Sequence, residues 1–331
     1  MVPMTRRVAF ALLAGSASAL AGVFACTGDE VSSTSSSSSG TPGTDAPPDT
    51  TASPDVTTPD TGADSAGPRC DPTKPFAKPT EVMGFPQGDN LVPRLYDDEL
   101  TVYYSWRPSG GESKIYRAQR SAIAEPFSQQ TELAFPAVPD AGQLYHPTLI
   151  GTQLTMLLAA AGPPTPRDVY IATRGGAGTT AFSSLTRVDA LSTLDGDELA
   201  TWLLPSGDAL YFVRAVSFEP RIFRARKIGG SYGDAVEVPG LGANVQTPVV
   251  SDDEKTIYFT RGTSIADFDV LVATRKSAAD PFGTATPVPD ISAPGVFDGP
   301  TWVSPDDCVL YFRTTRQGDG LEHVMVTRRP L

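Results

Sequence analysis

The sequence predicts an all-β protein folded as a five-bladed β-propeller whose blades are four-stranded antiparallel sheets. Five copies of one short pattern recur through the last three quarters of the chain, and each has an apolar or aromatic anchor at its third position. The anchors are Tyr103, Leu157, Tyr211, Tyr258 and Tyr311, spaced 54, 54, 47 and 53 residues apart. A period near 50 residues, with short strands and turn residues, is typical of propeller blades.

A polar turn precedes the anchor strand in each repeat and marks the end of a first strand. Four of these turns are rich in Asp, Ser, Pro and Gly, at 96–99, 205–208, 251–254 and 304–307. These residue types favour tight turns because they adopt or fix the required φ angles, or bond to their own backbone. We therefore expect the first and second strands of each repeat to form a hairpin.

A third strand follows a variable loop in each repeat and ends in a cation. The cations are Arg120, Arg174, Lys227, Arg275 and Arg329. Two interpretations stay open at this point: a ring of anion-binding sites, or packing and pairing with acids of the turns. A fourth strand then begins near an aromatic residue, at Phe127, Phe182, Tyr232 or Phe282.

The second and third strands are apolar at consecutive positions instead of alternating. Blades sandwiched between two neighbours bury both faces of their central strands, which explains this pattern. A two-sheet sandwich is the alternative, and it would expose one face of each sheet and give a cleaner alternation.

The N-terminal segment supplies the strand that the last repeat lacks. The fifth repeat stops at Leu331 before any fourth strand, whereas 75–82 matches the fourth-strand segments 126–133 and 281–288. We expect this N-terminal strand to complete the last blade and close the ring, which removes open sheet edges.

The cysteines are consistent with that closure. Cys70 precedes the N-terminal strand, and Cys308 lies in the turn that enters the second strand of the fifth repeat. Second and fourth strands of an antiparallel sheet start at the same end, so a disulfide between Cys70 and Cys308 is predicted. Two unrelated buried thiols are the alternative.

The first 69 residues are predicted to direct and tether the protein. Residues 1–25 have a basic start and an apolar stretch, as in an export signal. Val23-Phe-Ala-Cys26 resembles a bacterial lipoprotein box, with Cys26 as the lipidated residue; ordinary cleavage after Ala25 is the alternative. Thr27 lacks the acidic character of an inner-membrane retention signal, which favours the outer membrane. Residues 26–69 then form a disordered tether rich in Ser, Thr, Pro and Asp.

The charge of the chain limits the classes of partner that it is expected to bind. The whole chain carries a net charge of −12, and residues 70–331 hold 31 acids and 23 bases, with no basic run. An acidic body argues against nucleic acid as a partner and against electrostatic attachment to anionic lipid. Contact with a membrane is therefore expected only through the lipid anchor.

The repeats resemble the WD40-like propeller repeat of the TolB type, which runs Ser-Pro-Asp-Gly, Leu-Tyr-Phe, Asp-Ile-Tyr. The nearest segments here are Ser304-Pro-Asp-Asp307, Leu310-Tyr-Phe312 and Asp168-Val-Tyr170, and the resemblance covers residues 70–331. The second repeat departs most, with Ile150-Gly-Thr-Gln153 and no aromatic anchor. The resemblance implies a periplasmic or surface propeller that binds proteins or ligands; TolB itself is larger, so its own role does not carry over.

The loops that enter the first strands and those that leave the second strands crowd one face of a propeller. Acidic or polar side chains lie 13 residues before three of the anchors, with further polar and aromatic residues nearby. The candidate ligand face comprises Asn90, Trp106, Arg107, His146, Asp197, Glu198 and Asp298. Its carboxylates are candidates for calcium ligands or for the acid and base of a glycosidase. Loops that cap their own turns are the alternative.

Other chemistry is sparse in this sequence. The Gly-x-Ser-x-Gly elbow, the phosphate-binding loop and Cys/His metal spacings do not occur. The sequence therefore favours a monomeric, non-catalytic binding or scaffolding module without a required cofactor, whose partner is an envelope protein, peptide or carbohydrate. The alternative is a polysaccharide-active glycoside hydrolase that uses two of Glu198, Asp298 and Asp197.

Overall fold

The computed structural model describes residues 69–108, 111–137, 143–161, 167–193, 196–216, 219–262 and 268–331. In these ranges the chain forms twenty β-strands in five four-stranded antiparallel sheets, so the predicted five-bladed propeller is confirmed. The predicted signal peptide, Cys26 and the tether up to residue 68 lie outside the described residues.

Each blade contributes one strand to each of four concentric positions. The innermost strands are β2 (Asp89–Leu95), β6 (Gln143–Leu149), β10 (Glu198–Leu203), β14 (Val245–Val250) and β18 (Asp298–Val303). The second strands are β3 (Thr101–Arg107), β7 (Thr155–Ala161), β11 (Ala209–Val216), β15 (Thr256–Arg261) and β19 (Val309–Thr314). The third strands are β4 (Lys114–Gln119), β8 (Asp168–Thr173), β12 (Glu219–Ile228), β16 (Asp269–Thr274) and β20 (His323–Arg328). The outermost strands are β5 (Ser128–Glu132), β9 (Ser184–Arg187), β13 (Ser231–Glu237), β17 (Thr286–Pro287) and β1 (Thr80–Glu81).

Blades 1 to 4 are consecutive in the sequence, comprising β2–β5, β6–β9, β10–β13 and β14–β17. Blade 5 consists of β18–β20 together with β1, in which Thr80 and Glu81 pair antiparallel with β20. The pairing extends beyond β1, because the amides of Ala77 and Val82 donate to carbonyls of β20. The N-terminal strand therefore closes the ring as the repeat comparison predicted.

The innermost strands have one shared register. In every blade the residue nine positions before the anchor lies opposite that anchor: Arg94, Thr148, Trp202, Val249 and Trp302. A β-bulge interrupts each innermost strand, directly before this position in blades 2 to 5 and two residues earlier in blade 1. In blades 2, 3 and 4 the bulged residue has a positive φ of 49° to 54°, at His146, Ala200 and Thr247. The bulges of blades 2 to 5 bend their strands at one level of the ring.

The second strands are buried on both faces, as expected for blades between two neighbours. Tyr211 and Phe212 are adjacent in β11 and point to opposite faces of the sheet, yet both side chains are fully buried. The same holds for Tyr258 with Phe259 and for Tyr311 with Phe312. Consecutive burial of this kind rules out the two-sheet sandwich.

A repeated set of hydrogen bonds, the tyrosine latch, joins neighbouring blades. The Tyr311 hydroxyl of blade 5 donates to Glu99 of blade 1 at 2.8 Å and accepts from Arg120 Nη2 at 2.9 Å. Arg120 Nε also donates to the Glu99 carbonyl at 2.8 Å. Burial and the charge of Glu99 raise the pKa of Tyr311 to about 12, which keeps its hydroxyl protonated as a donor.

The latch recurs at three further interfaces with the same geometry. The sets are Tyr103 with Gln153 and Arg174, Tyr211 with Glu254 and Arg275, and Tyr258 with Asp307 and Arg329. The turn residue of every blade has a positive φ between 56° and 76°, at Glu99, Gln153, Gly207, Glu254 and Asp307. Non-glycine residues rarely adopt this conformation. In four blades the residue at this position nevertheless has a side chain, and that side chain accepts the hydrogen bond from the tyrosine hydroxyl.

The interface between blades 2 and 3 replaces all three members of the latch. Its anchor is Leu157, which has no hydroxyl, and the turn residue opposite is Gly207, which has no side chain. Lys227 takes the place of the arginine, and its ammonium lies 5.9 Å from the centre of the Tyr232 ring. Removing one partner alone would leave buried polar groups unpaired, and the joint replacement avoids this.

The third-strand cations also pack on the aromatic residues of the fourth strands. Guanidinium-to-ring distances range from 4.0 to 5.0 Å for Arg329 on Phe76, Arg275 on Phe282, Arg120 on Phe127 and Arg174 on Phe182. Together with the latches, these contacts confirm packing and pairing as the role of the cations, rather than a ring of anion sites. The contact with Phe76 extends the pattern to the N-terminal segment.

The predicted disulfide is present in the closing blade. Cys70 and Cys308 are bonded with their Cα atoms 5.7 Å apart, across 238 residues of sequence. Cross-linking a loop of that length stabilises the fold by about 5 kcal/mol in the chain-entropy model. Beside it, Arg69 forms two hydrogen bonds to Asp306, and on β20 His323 bonds to Glu81 of β1 at 2.8 Å. The chain ends are thus fastened at several points.

We predict that Tyr258→Phe lowers the free energy of unfolding by about 1–3 kcal/mol, because the partly buried Asp307 and Arg329 lose a shared partner. Adding Asp307→Gly, which suits the φ of 57° at that position, should cost less than the sum of the single changes. Denaturant unfolding of the three variants measures this coupling.

Tyr104→Phe is the matched control for this prediction. The buried Tyr104 hydroxyl has no hydrogen-bond partner among the described residues, so its removal should leave stability unchanged or raise it. Equal losses for Tyr258→Phe and Tyr104→Phe would contradict the latch.

Candidate functional site

The propeller has two faces that the strand direction distinguishes. On the upper face the innermost strands begin and the second strands end, and on the lower face lie the turns that carry the tyrosine latches. Glu198 and Asp298 are the first residues of β10 and β18, and Trp106 and Arg107 end β3, so these candidates belong to the upper face. Asn90 lies near the start of β2; its side chain lies outside what the structure describes.

Glu198 is a buried carboxylate that fastens its own loop. Its Oε1 accepts from Arg214 Nε at 2.8 Å and from Thr193 Oγ1 at 2.7 Å, and Oε2 accepts from the Thr193 amide at 3.2 Å. Burial raises the pKa of Glu198, an effect that these hydrogen bonds only partly offset. The side chain has no accessible surface, so a substrate on the upper face does not reach it.

Asp298 has the same role in blade 5. Its Oδ1 accepts from Arg316 Nη2 at 2.8 Å, and its Oδ2 accepts from the Ala293 amide at 2.9 Å. The Asp298 side chain also has no accessible surface.

Asp197 is more exposed but equally engaged. Arg167 donates to it twice, through the backbone amide at 2.8 Å and through Nη2 at 2.6 Å. Burial acts to raise the pKa of Asp197, but the bonds from Arg167 outweigh it and the pKa is lowered. Each of the three carboxylates considered for hydrolysis is therefore paired with an arginine, and two of them are inaccessible.

Of the remaining candidates, Trp106 and Arg107 lie at the rim of the upper face, and His146 lies in the interior. At the rim, Trp106 Nε1 donates to the Gln87 carbonyl at 3.1 Å, and Arg107 pairs with Asp89 at 2.9 Å. Trp106 also meets Tyr116 edge to face at 5.4 Å between ring centres.

His146, by contrast, lies in the channel wall, 91% buried, where its Nδ1 accepts from the Ala200 amide. Burial, followed by the charges of Arg313, Arg94 and Arg167, holds the pKa of His146 far below its usual value, so the ring is neutral.

Sequence reasoning missed two members of the upper rim. Tyr145, at the start of blade 2, lies within electrostatic range of Arg107, Arg167 and Asp197, and burial raises its pKa. These residues and Trp106 form what we call the rim cluster: Trp106, Arg107, Tyr145, Arg167 and Asp197. Tyr145 and Arg167 do not share an offset from an anchor with the other candidates, so the repeat alignment gave no signal for them.

Two kinds of feature, a cluster of metal-ligating side chains and a membrane-spanning helix, do not occur among the described residues. No three His, Cys, Asp or Glu side chains in this part of the chain lie close enough together to hold a metal ion. Nor does that part contain a helix of the length and apolarity needed to cross a membrane.

Comparison with known proteins yields structural relatives only. No family model and no curated protein matches the sequence. A thermostable family-43 glycoside hydrolase superposes with a TM-score of 0.54 at 14% identity, covering 76% of this chain and 92% of its own. An endo-arabinase from Bacteroides thetaiotaomicron superposes with a TM-score of 0.51 at 12% identity, covering 76% and 98%. TolB from Acinetobacter baumannii matches 78% of this chain with a TM-score of 0.45 at 13% identity.

These likenesses bear on the fold. At 12–14% identity the two glycoside hydrolases show a shared propeller architecture and no more. The chain spans 55% of the length of that TolB, whereas it spans nearly the full length of the two glycoside hydrolases. The disulfide is consistent with an exported protein.

We predict that Glu198→Ala destabilises the propeller by about 3 kcal/mol, because it leaves the partly buried Arg214 without its carboxylate and the Thr193 loop without its acceptor. Asp89→Ala is the matched control in blade 1, where the pair with Arg107 is 40–53% exposed and its loss should cost at most about 1 kcal/mol. Thermal and denaturant unfolding measure both. Similar small effects for the two variants would mean that Glu198 is not a structural residue.

Proposed function

We propose that this chain is a non-catalytic binding propeller of the bacterial cell envelope, which presents the rim cluster to an envelope carbohydrate. The observation that carries the proposal is the pairing of Asp197, Glu198 and Asp298 with arginines, which leaves these three carboxylates without the role of acid or base. The rim instead offers partly exposed aromatic rings beside planar ion pairs. Such surfaces suit sugar rings, whose apolar faces pack on aromatics and whose hydroxyls bond to charged groups.

The position of the protein in the cell is part of the proposal. An export signal, lipidation at Cys26 and a flexible tether would hold the propeller clear of the outer membrane. Its 43 residues after Cys26 give a coil span of roughly 35–40 Å. The disulfide supports an oxidising compartment for the propeller itself.

A polysaccharide-active hydrolase is the second candidate. The likeness to a family-43 glycoside hydrolase and to an endo-arabinase favours it at the level of architecture. The activity would need two of Glu198, Asp298 and Asp197 about 5–10 Å apart across an open cleft. Their arginine partners and the burial of Glu198 and Asp298 weigh against it.

Glycan binding is tested with the purified full chain on an array of envelope and plant polysaccharides. We predict specific binding that Trp106→Ala weakens by about tenfold, or 1.4 kcal/mol, while Val236→Ala, a 64%-exposed residue of β13, leaves it unchanged. Shortening of the bound glycan would replace the binding proposal with the hydrolase. A blank array would contradict a carbohydrate ligand and point to a protein partner.

Lipid anchoring is tested in cells with a labelled fatty acid. We predict that the parent chain incorporates the label and that Cys26→Ala neither incorporates it nor remains with the membrane fraction, because the diacylglyceryl group would be attached to the Cys26 sulfur. A Cys26→Ala protein that still sediments with membranes would show that the anchor is assigned wrongly.

A further inference from the structure

Arg94 is the one charged residue at its level of the innermost ring. The equivalent positions of the other four blades, each opposite its anchor, are Thr148, Trp202, Val249 and Trp302. The bulges that precede this level give all five strands the same register, so these side chains meet around the axis of the propeller. A guanidinium at such a place requires a partner for its charge.

The contacts of Arg94 do not provide that partner. The side chain is 96% buried, and its Nη2 donates to the Thr201 carbonyl at 3.1 Å. Its Nε and Nη1 have no acceptor among the described residues. The guanidinium packs 5.1 Å from the Trp202 ring centre, a contact that neutralises no charge.

Arg174 shows what a structural arginine of this propeller looks like. It is as deeply buried as Arg94, yet each of its three nitrogens donates to an acceptor: Nε to Gln153, Nη1 to Thr179 and Nη2 to Tyr103. Every nitrogen of the Arg174 guanidinium thus has an acceptor within the chain. The two nitrogens of Arg94 without an acceptor are an exception to this pattern.

A cavity of about 40 Å³ adjoins Arg94 at the lower end of the channel. Its walls include residues that end the innermost strands or begin the turns after them: Arg94, Tyr96, Asp97, Thr148, Trp202 and Trp302. The volume exceeds the roughly 15 Å³ that one water needs, and it suits a group of three or four heavy atoms. The cavity lies at the opposite end of the innermost strands from the rim cluster.

The charges around the cavity indicate which net charge a bound ligand would carry. Burial and the charge of Arg313 lower the pKa of Arg94 to about 9, so the guanidinium is cationic at neutral pH. Arg313 is itself paired with Glu322 at 2.9 Å, and His146 is neutral. Arg94 therefore has no carboxylate partner at ion-pair distance among the described residues. Asp97, an exposed residue of the cavity wall that is not paired with Arg94, would repel a dianion such as phosphate more strongly than a monoanion.

We propose that the lower end of the channel is a binding site for the carboxylate group of a small monoanionic ligand, held by Arg94 between Trp202 and Trp302. The carboxylate balances the charge of Arg94 from the cavity that this side chain lines, and charge-assisted bonds between a guanidinium and a carboxylate are strong in a desolvated site. The two indoles provide an apolar passage for the stem of the ligand. This site is separate from the rim cluster and does not rest on the function proposed for it.

The site is tested by thermal unfolding of the full chain in sodium acetate and in sodium chloride at equal ionic strength. Acetate should raise the Tm of the parent saturably, by about 5 °C at a hundredfold excess over its dissociation constant. Arg94→Met should abolish this response and, without acetate, melt at or above the parent temperature, because an uncompensated buried charge has been removed. Arg94→Lys, which keeps the charge without the planar fork, should respond more weakly than the parent.

Lys255→Met is the charge-matched control. Lys255 lies in a lower-face turn, 52% exposed and paired with Asp253, so its removal changes the net charge equally and should leave the acetate response intact. N-acetylglycine and glucuronate distinguish a peptide terminus from an acidic sugar as the source of the carboxylate. Tighter binding of either than of acetate supports the site.

Three outcomes would overturn the proposal. No acetate response in the parent would mean that the cavity binds no carboxylate, and an equal response in Arg94→Met would mean that acetate acts elsewhere on the protein. A larger shift with phosphate than with acetate would contradict a monocarboxylate ligand. Arg94 would be a structural residue if Arg94→Met strongly destabilised the protein and neither the variant nor the parent responded to glucuronate at any concentration.

Discussion

The tyrosine latch is the interaction on which the rest of the propeller depends. A tyrosine hydroxyl, a turn side chain at positive φ and a cation meet at each of four blade interfaces, and each group satisfies the other two. Because they are buried together, none of the three can change alone without leaving an unpaired polar group. The latch therefore joins the second strand of one blade to the turn of the next blade, and it recurs at four of the five interfaces around the ring.

The interface between blades 2 and 3 shows this dependence within a single sequence. Leu157, Gly207 and Lys227 replace the tyrosine, the turn acceptor and the arginine together, so packing of an aliphatic side chain substitutes for hydrogen bonds. The weakest of the five sequence repeats is thus a coherent variant of the same interface rather than a failed one.

The hydrogen-bond partners of the buried charged residues distinguish structural residues from candidates for function. Glu198 and Asp298 carry the charges that a hydrolase would use, but their arginines and their burial make them fasteners of the upper loops. Arg94 has the reverse character, since it is equally buried and lacks an acceptor for two of its nitrogens. The difference lies in which polar groups the fold satisfies internally, and residue type alone does not express it.

The sequence by itself determined the architecture of this protein, because blade repeats follow from local patterns: turn residues before Tyr258, apolar pairs such as Tyr311 and Phe312, and a terminal cation such as Arg329. It also predicted the closing strand and the disulfide, which depend only on the order of elements. Pairing across blades was decided by the tertiary structure, since Arg167 and Asp197 are 30 residues apart in the sequence and pair at 2.6 Å. The lack of an acceptor for two nitrogens of Arg94 likewise becomes visible only when the five innermost strands surround one axis.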